Sequence, residues 1–365
     1  MPTRREFLKQ AAASGIATAL CKSVNSASEV AGSSRPSSGA GSVQTVLGAL
    51  DPSALGFTLP HEHIADAPDV LERWPKPWGD RAGLIVRAVA RLKVIRGAGI
   101  TTVVDLTTYD VGRDIRFLEE VSRKSGMQMI ACTGQRFFPP VSPHVSMPSH
   151  TIAGLANYFT REIDEGIDGT GIKAGVIKIG IVGSHPTSIE AVGLRAAVRA
   201  SKATGVPIRI HTDAAHRAGE GIAVILEAEG INPARVSLDH SDDSGDMDYL
   251  FGLVRRGYYL SMDHVHRGLI ADVKPSFDGR TRCIRMLVDS GFANRLFLST
   301  DSEFGGSLLP KEKRDWRENL DPSEGMLFSV RGLLPRLGEL GVSSEHVRAM
   351  TVENPKAFFR RSSVG

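Results

Sequence analysis

The sequence predicts an α/β protein, a (β/α)8 TIM barrel in a single domain, and three observations predict it. From residue 43 onward, short β-rich apolar runs alternate with helical stretches through eight β-then-α units. Several runs follow glycine helix stops, at Gly97-Ala98-Gly99, Gly205, Gly230, Gly257 and Gly291. Polar, metal-type side chains end many of the runs. An open doubly wound sheet, the alternative, explains that less well, because in a barrel the strand ends converge on one mouth.

In order, the predicted strands are 57–63, 101–106, 129–133, 176–181, 207–211, 236–240, 258–263 and 296–301. Between them lie predicted helices, among them 81–96, 114–124, 189–204, 219–229, 246–255 and 282–289. The longer loops, 64–80 (with Trp74 and Trp78), 134–150, 264–279 and 302–324, all fall on the catalytic side, where substrate selection is expected. Residues 343–359 read as a closing helix with Asn354-Pro355 as a turn.

The chain has 365 residues, 41% hydrophobic and 23% charged, which describes a soluble globular protein. The formal net charge is +3, but residues 1–30 hold four bases and two acids, which leaves about +1 beyond them. That charge gives no electrostatic footprint for nucleic acid. No apolar run reaches the ~20 residues of a membrane-spanning helix. The start, Thr3-Arg4-Arg5-Glu6-Phe7-Leu8-Lys9 followed by an Ala-rich stretch to Leu20, reads as a twin-arginine export signal. The expected organisation is a signal peptide over 1–28, with cleavage near Ser26-Ala27-Ser28. A flexible Ser/Gly/Ala linker follows over 29–42, and the catalytic domain spans 43–365. The protein is therefore expected in the periplasm. Cys21 follows Leu20, a poor lipoprotein cleavage context. Cys132, inside a predicted strand, reads as a small buried hydrophobe, and with only Cys283 for company it offers no thiolate metal site.

His61-Glu62-His63 is the strongest local signal. On a strand, side chains two apart share a face, so both imidazoles can clasp one cation while Glu62 points away. Lys178 interrupts the apolar run Val176-Ile177-Lys178-Ile179. A lysine there is costly unless it is neutral, paired or at a metal. His211, His240 and Asp301 each close an apolar run. Singly each has an ordinary structural explanation; as an ordered set they do not suit a packed core. Four imidazoles and a carboxylate suit Zn²⁺-like ions, with Co²⁺ or Mn²⁺ as alternatives, and the set is large enough for two divalent metal ions. A buried neutral lysine reacted with CO₂ would supply a carbamate, so carboxylated Lys178 is a candidate bridge.

These residues resemble the phosphotriesterase (aryldialkylphosphatase) family of the amidohydrolase superfamily. The resemblance runs from about Val43 to Phe359 and is carried by Gly56-Phe57-Thr58-Leu59-Pro60-His61-Glu62-His63, Gly112-Arg113-Asp114, Arg161-Glu162-Ile163, Gly175-Val176-Ile177-Lys178, Ala203-Thr204-Gly205-Val206-Pro207, His240-Ser241-Asp242-Asp243 and Glu353-Asn354-Pro355. It implies a barrel with a binuclear centre. His61, His63 and Asp301 would hold the more buried ion, and His211 and His240 the more exposed one. Carboxylated Lys178 would bridge them, and a bridging hydroxide would attack phosphorus or a carbonyl. It also implies a proton relay from Asp301 through His264 to Asp243, which a histidine between carboxylates can serve. His144, His150, His185, His216 and His266 match no ligand position and read as loop residues, with His185 and His266 as candidates for lining the mouth.

The departures concern substrate. Where the family's triesterases carry an aromatic pocket residue and its lactonases a tyrosine, this chain has Arg136, followed by Phe137 and Phe138. After Asp301 come Ser302, Glu303 and Phe304, where triesterases are more apolar. The loop after the seventh strand is short, as in lactonases, yet His264 is the triesterase-like residue. Arg136, Phe137, Ser302, Glu303 and Phe304 are the candidate substrate contacts. Arg136 and Glu303 could bind a polar or anionic group, or equally pair with each other. The leading expectation is a hydrolase of phosphotriesters or related aryl esters; the alternative is a lactonase with promiscuous triesterase activity. A metal-binding or sensor protein on a degenerate barrel is disfavoured by the complete ligand set. The expected partner is a small-molecule ester, with no nucleic acid and no stable membrane insertion, and the resemblance implies a homodimer in many members.

Overall fold

The computed structural model of the protein describes residues 41–64, 81–136, 151–302 and 325–363. The expected signal peptide and nearly all of the linker lie outside the described residues. So do most of the three loops 64–80, 134–150 and 302–324, and with them Trp74, Trp78, Phe137, Phe138, His144, His150, Glu303 and Phe304.

The described chain opens with an antiparallel hairpin, β1 (Val43–Thr45) and β2 (Gly48–Leu50), in a stretch where no strand was assigned from sequence. The Val46 N–H donates to the Met129 carbonyl at 2.9 Å, so the hairpin lies against the N-terminal end of the barrel. The barrel strands are β3 (Thr58–Glu62), β4 (Thr102–Asp105), β5 (Gln128–Gln135), β6 (Val176–Gly180), β7 (Ile208–His211), β8 (Val236–Asp239), β9 (Tyr259–Met262) and β10 (Leu296–Leu298), all parallel and paired in chain order. The helices are α1 (Arg81–Gly97), α2 (Ile115–Ser125), α3 (Ile152–Asp164), α4 (Ser188–Thr204), α5 (Ala218–Ala228), α6 (Met247–Arg255), α7 (Phe277–Asp289), α8 (Leu334–Glu339), α9 (Ser344–Arg348) and α10 (Asn354–Phe359). The α-helices and strands follow the expected order, which is the nearly closed (β/α)8 arrangement that the alternation called for.

Two apolar layers hold it. The larger lies between strands and helices, with residues such as Leu92, Leu118, Ile177, Leu194, Ile210 and Leu238. The smaller fills the barrel interior near its base with Val104, Ile130, Cys132, Val176, Tyr259, Phe297 and Phe358. Cys132 is a buried free thiol there, as its strand position implied.

β3 and β10 close the ring mainly through a side chain. Asp301 donates its N–H to the His61 carbonyl at 3.0 Å, and His63 donates to the Ser302 carbonyl at 3.0 Å. Glu62, fully buried, accepts from Ser299 Oγ at 2.8 Å, Thr300 N–H at 3.0 Å and Ser302 N–H at 2.8 Å. Burial pushes its carboxyl up to about 7, against these hydrogen bonds.

Two sequence expectations need correction. Helix α7 starts at Phe277 rather than 282, because Ser276 caps it by accepting from the Gly279 N–H. Helix α3 supplies the unit between β5 and β6, capped in the same way by Thr151, which accepts from the Gly154 N–H. Asn354-Pro355 is no turn: Asn354 is helical (φ −64°, ψ −49°), and Pro355 occupies the first turn of α10, where its missing N–H costs nothing. The Asn354 amide instead donates to the Ala293 and Leu296 carbonyls at 2.8 and 2.7 Å, tying α10 to the start of β10.

Candidate metal centre

At the C-terminal ends of the strands the predicted residues meet. His61 and His63 stand at the end of β3, and each presents Nε2 at 3.3 Å from Asp301 Oδ1. His211 ends β7 and His240 follows β8, with His211 Nδ1 and His240 Nε2 only 2.6 Å apart. Lys178, in the middle of β6, brings Nζ to 3.4 Å from His61 Nε2. The rings of His61 and His240 lie 5.0 Å apart, so the two groups are neighbours. Two of the six leave the strand ladder: His240 (φ 61°) and Asp301 (φ 43°) adopt left-handed backbone, which is strained for residues with a Cβ and common at functional sites. Gly134 serves the same spot, because a Cβ there would lie 1.8 Å from the Lys178 carbonyl oxygen.

A buried carboxylate orients the imidazoles. Asp263 accepts from His61 Nδ1 at 2.7 Å and from His240 Nδ1 at 2.9 Å. With Nδ1 protonated on both rings, both Nε2 lone pairs face the site. Thr107 Oγ1 holds His63 Nδ1 at 2.9 Å to the same effect. Burial pushes His61, His211 and His240 well below the ordinary histidine range, so they are neutral donors. Burial pushes Asp301 up, but hydrogen bonds from His264 and His63 help hold it well below the carboxylate range.

Beneath this lies a charged layer that the sequence reading missed. Lys178 Nζ makes a short salt bridge to Asp239 Oδ2, and Arg209 Nε donates to Asp239 Oδ1 at 2.9 Å. All three side chains are buried to within 1%. Burial lowers the Lys178 amine, while Asp239 opposes that shift. The missed signal was available: Arg209 interrupts Ile208-Arg209-Ile210-His211 as Lys178 interrupts its own strand, and shares a face with His211. Asp239 and Asp263 each directly precede a predicted site histidine.

His264 bridges two carboxylates, with Nδ1 2.7 Å from Asp243 Oδ2 and Nε2 2.8 Å from Asp301 Oδ2. Its ring stacks on His240 with centroids 3.9 Å apart. Burial and Arg267 push His264 down, but the bonds to Asp243 and Asp301 outweigh them and hold it at about 9. Asp243, pushed up by burial, is brought to about 2 by His264 and Arg280. The three residues form a continuous hydrogen-bonded chain from the buried site to a half-exposed carboxylate.

Of the candidate substrate contacts, Arg136 and Ser302 are described. Arg136 reaches into the site, with Nη2 2.8 Å from His211 Nε2. Ser302 donates its N–H to Glu62 Oε2 at 2.8 Å, and its hydroxyl lies 2.8 Å from Thr300 Oγ1, which ties it to the β3–β10 junction. Arg267, not expected, donates to Asp301 Oδ2 at 3.0 Å. His185 and His216 are exposed, and His266 packs on Phe328 with centroids 6.0 Å apart; none joins the cluster.

The donor set fits divalent cations of the Zn²⁺ type: neutral imidazole nitrogens with fixed tautomers, and an ionised carboxylate. Among the described residues three overlapping groups, His61–His63–Asp301, His61–His240–Asp263 and His240–His264–Asp301, each bring three ligand atoms within 4.8 Å of one another. A family model described as the phosphotriesterase family matches residues 41–359. The chain belongs to the phosphotriesterase family. A phosphotriesterase homology protein of Mycobacterium tuberculosis is 32% identical over 327 residues, covering 87% of this chain and 98% of that one. An aryldialkylphosphatase of Saccharolobus solfataricus is 29% identical over 319 residues, 85% of this chain and 96% of that one. A solved PTE-like lactonase variant of Deinococcus radiodurans superimposes with a TM-score of 0.76 at 31% identity, over 87% of this chain and 99% of its own. Family membership and the barrel thus agree with what the sequence motifs implied.

Proposed function

We propose that this chain is a binuclear-metal-dependent hydrolase of phosphotriesters or related aryl esters. One observation carries the reading: groups from five separate strands, His61, His63, Lys178, His211, His240 and Asp301, converge with their donor atoms turned inward. In this reading His61, His63 and Asp301 would hold one cation, His211 and His240 would hold a second, and Lys178, if carboxylated, would add a ligand shared by both. Bound divalent ions there would polarise a P=O or C=O group and activate water. The residues of the chain then do the rest. Asp263 and Thr107 keep the imidazoles aimed, and His264, hydrogen-bonded to both Asp301 and Asp243, is the group placed to carry a proton between the site and Asp243.

A second reading, lactone hydrolysis with triester cleavage as a side activity, is favoured by one feature: a guanidinium, Arg267, lies on Asp301 beside His264. Zinc- or cobalt-loaded protein assayed in parallel on a paraoxon-type triester and on a lactone series separates the two. A lactone kcat/KM far above the triester value reverses their order. The working compartment in this reading is the periplasm, reached by twin-arginine export; fractionation of cells making the full chain and an Arg4→Lys/Arg5→Lys variant tests it.

A further inference from the structure

The hydrogen bond between His264 Nδ1 and Asp243 Oδ2 joins two loops, one after β8 and one after β9, and a buried ion pair holds both of its ends. Asp242, next to Asp243, is fully buried. Its Oδ1 accepts from the Asp263 N–H at 3.0 Å and from the His264 N–H at 3.1 Å, which pins the backbone that carries His264. Its Oδ2 faces Arg280 Nη1 at 2.9 Å. Arg280 lies in the first turns of α7 and is buried. The same Nη1 lies 2.6 Å from Asp243 Oδ1 and 2.8 Å from the Asp242 carbonyl oxygen. Asp243 is thus gripped at Oδ1, and Oδ2 is left for His264 at 2.7 Å.

The guanidinium is itself fixed. Its Nε donates to the Pro275 carbonyl at 2.8 Å, and Nη2 lies 3.4 Å from the Lys274 carbonyl oxygen. A planar fork held along one edge presents its other edge in a single direction, which a lysine ammonium does not do. Charge adds to geometry. Asp242 and Asp243 are neighbouring carboxylates, and without a cation between them they repel. Asp242 is enclosed; Asp243 is partly exposed and is the one able to turn to water. Turned away, it no longer accepts from His264. The ring then loses the contact at Nδ1 that sets Nε2 at 2.8 Å from Asp301 Oδ2.

We propose that Arg280, paired with Asp242, is a positioning residue for His264: by gripping Asp243 it keeps the imidazole aimed at the reacting side of the site. The proposal rests on the hydrolase reading, in which His264 carries the proton, and adds a residue that acts on it only through Asp243.

The test uses zinc-loaded full-length protein with paraoxon and 4-nitrophenyl acetate as substrates. In Arg280→Gln, kcat should fall about tenfold or more, part of what a placed acid–base group contributes. KM should stay within about twofold, with zinc content unchanged. Arg280→Lys, which keeps the charge and loses the fork, should fall between Arg280→Gln and wild type. If Arg280→Gln does not fold, Arg280→Lys carries the same measurements. Asp243→Asn should lower kcat by itself, and adding Arg280→Gln to it should cost nothing further, because the two act as one unit. A readout without turnover uses metal-free protein labelled with ¹⁵N in histidine. The His264 Nδ1–H signal, identified by its loss in His264→Asn, should lie downfield and exchange slowly with water in wild type. In Arg280→Gln it should move upfield and exchange faster. Unchanged kcat, zinc lost in step with kcat, additive losses in the double variant, or an unmoved Nδ1–H signal each overturns the proposal. If loaded wild type cleaves neither ester, the hydrolase reading fails, while the Nδ1–H signal still decides whether Arg280 holds His264.

Discussion

The two halves of the metal-type cluster are built differently. On the β3 side, both histidines have acceptors behind them: Asp263 Oδ2 at 2.7 Å from His61 and Thr107 Oγ1 at 2.9 Å from His63. Their inward nitrogens are lone pairs, ready for a cation. On the β7–β8 side, His240 is held the same way by Asp263, but His211 has a donor behind it, Arg136. In one half each imidazole has an acceptor behind it; in the other His211 has a guanidinium donor behind it, at 2.8 Å from Nε2. The difference teaches that equal ligand counts do not make equal sites, because the atom behind each imidazole decides which nitrogen is open.

The harshest way to break the comparison is to remove the group shared by both halves. Lys178→Ala should lose metal and nearly all activity, with partial rescue by a short-chain carboxylic acid. Plasma emission analysis showing two retained ions, alongside full turnover, would end the binuclear reading. Asp263→Asn comes next, since Asp263 stands behind one histidine in each half. Metal affinity should fall about 10- to 100-fold in both, measured by competition with a chelating dye. A loss confined to one half would show that the shared carboxylate does not orient both.

His264→Asn should lower turnover while leaving metal content intact; a matching loss of metal would make it a ligand instead of a relay. The metal-free protein offers a pH test of the same residue. His264 is raised from 6.5 to about 9 in the fold, so the native state binds its proton more tightly than the unfolded chain does. That contribution is complete below about pH 6.5 and disappears as pH rises through about 9. The Tm of the metal-free protein should therefore decline across this window, and His264→Asn should flatten the decline. The smallest effect sharpens the contrast most directly. Arg136→Gln removes the strongest donor behind His211 and should tighten the weaker of two zinc-binding steps by a few-fold, on the scale of one exchanged hydrogen bond. Equal affinities of the two steps in wild type would remove the asymmetry.

Much of this was legible in the chain itself. Alternation of apolar runs with helical stretches determined the barrel, because period and length are local properties. The HxH pair was readable because strand side chains alternate, and Lys178 because a lysine inside an apolar run demands a reason. Helix α7 was misplaced because Gly279 looks like a loop residue until Ser276 is seen capping it. What only the tertiary structure decided is which partner each group faces. Asp263 lies 202 positions from His61, Glu62 is tied to residues more than 230 positions on, and Arg136 meets His211 across 75. Such pairings follow from strand register around a closed ring and from how near a glycine lets two strands approach. Neither is written in any local pattern, so the ligand types could be read from sequence, while their tautomers, and hence their readiness for metal, could not.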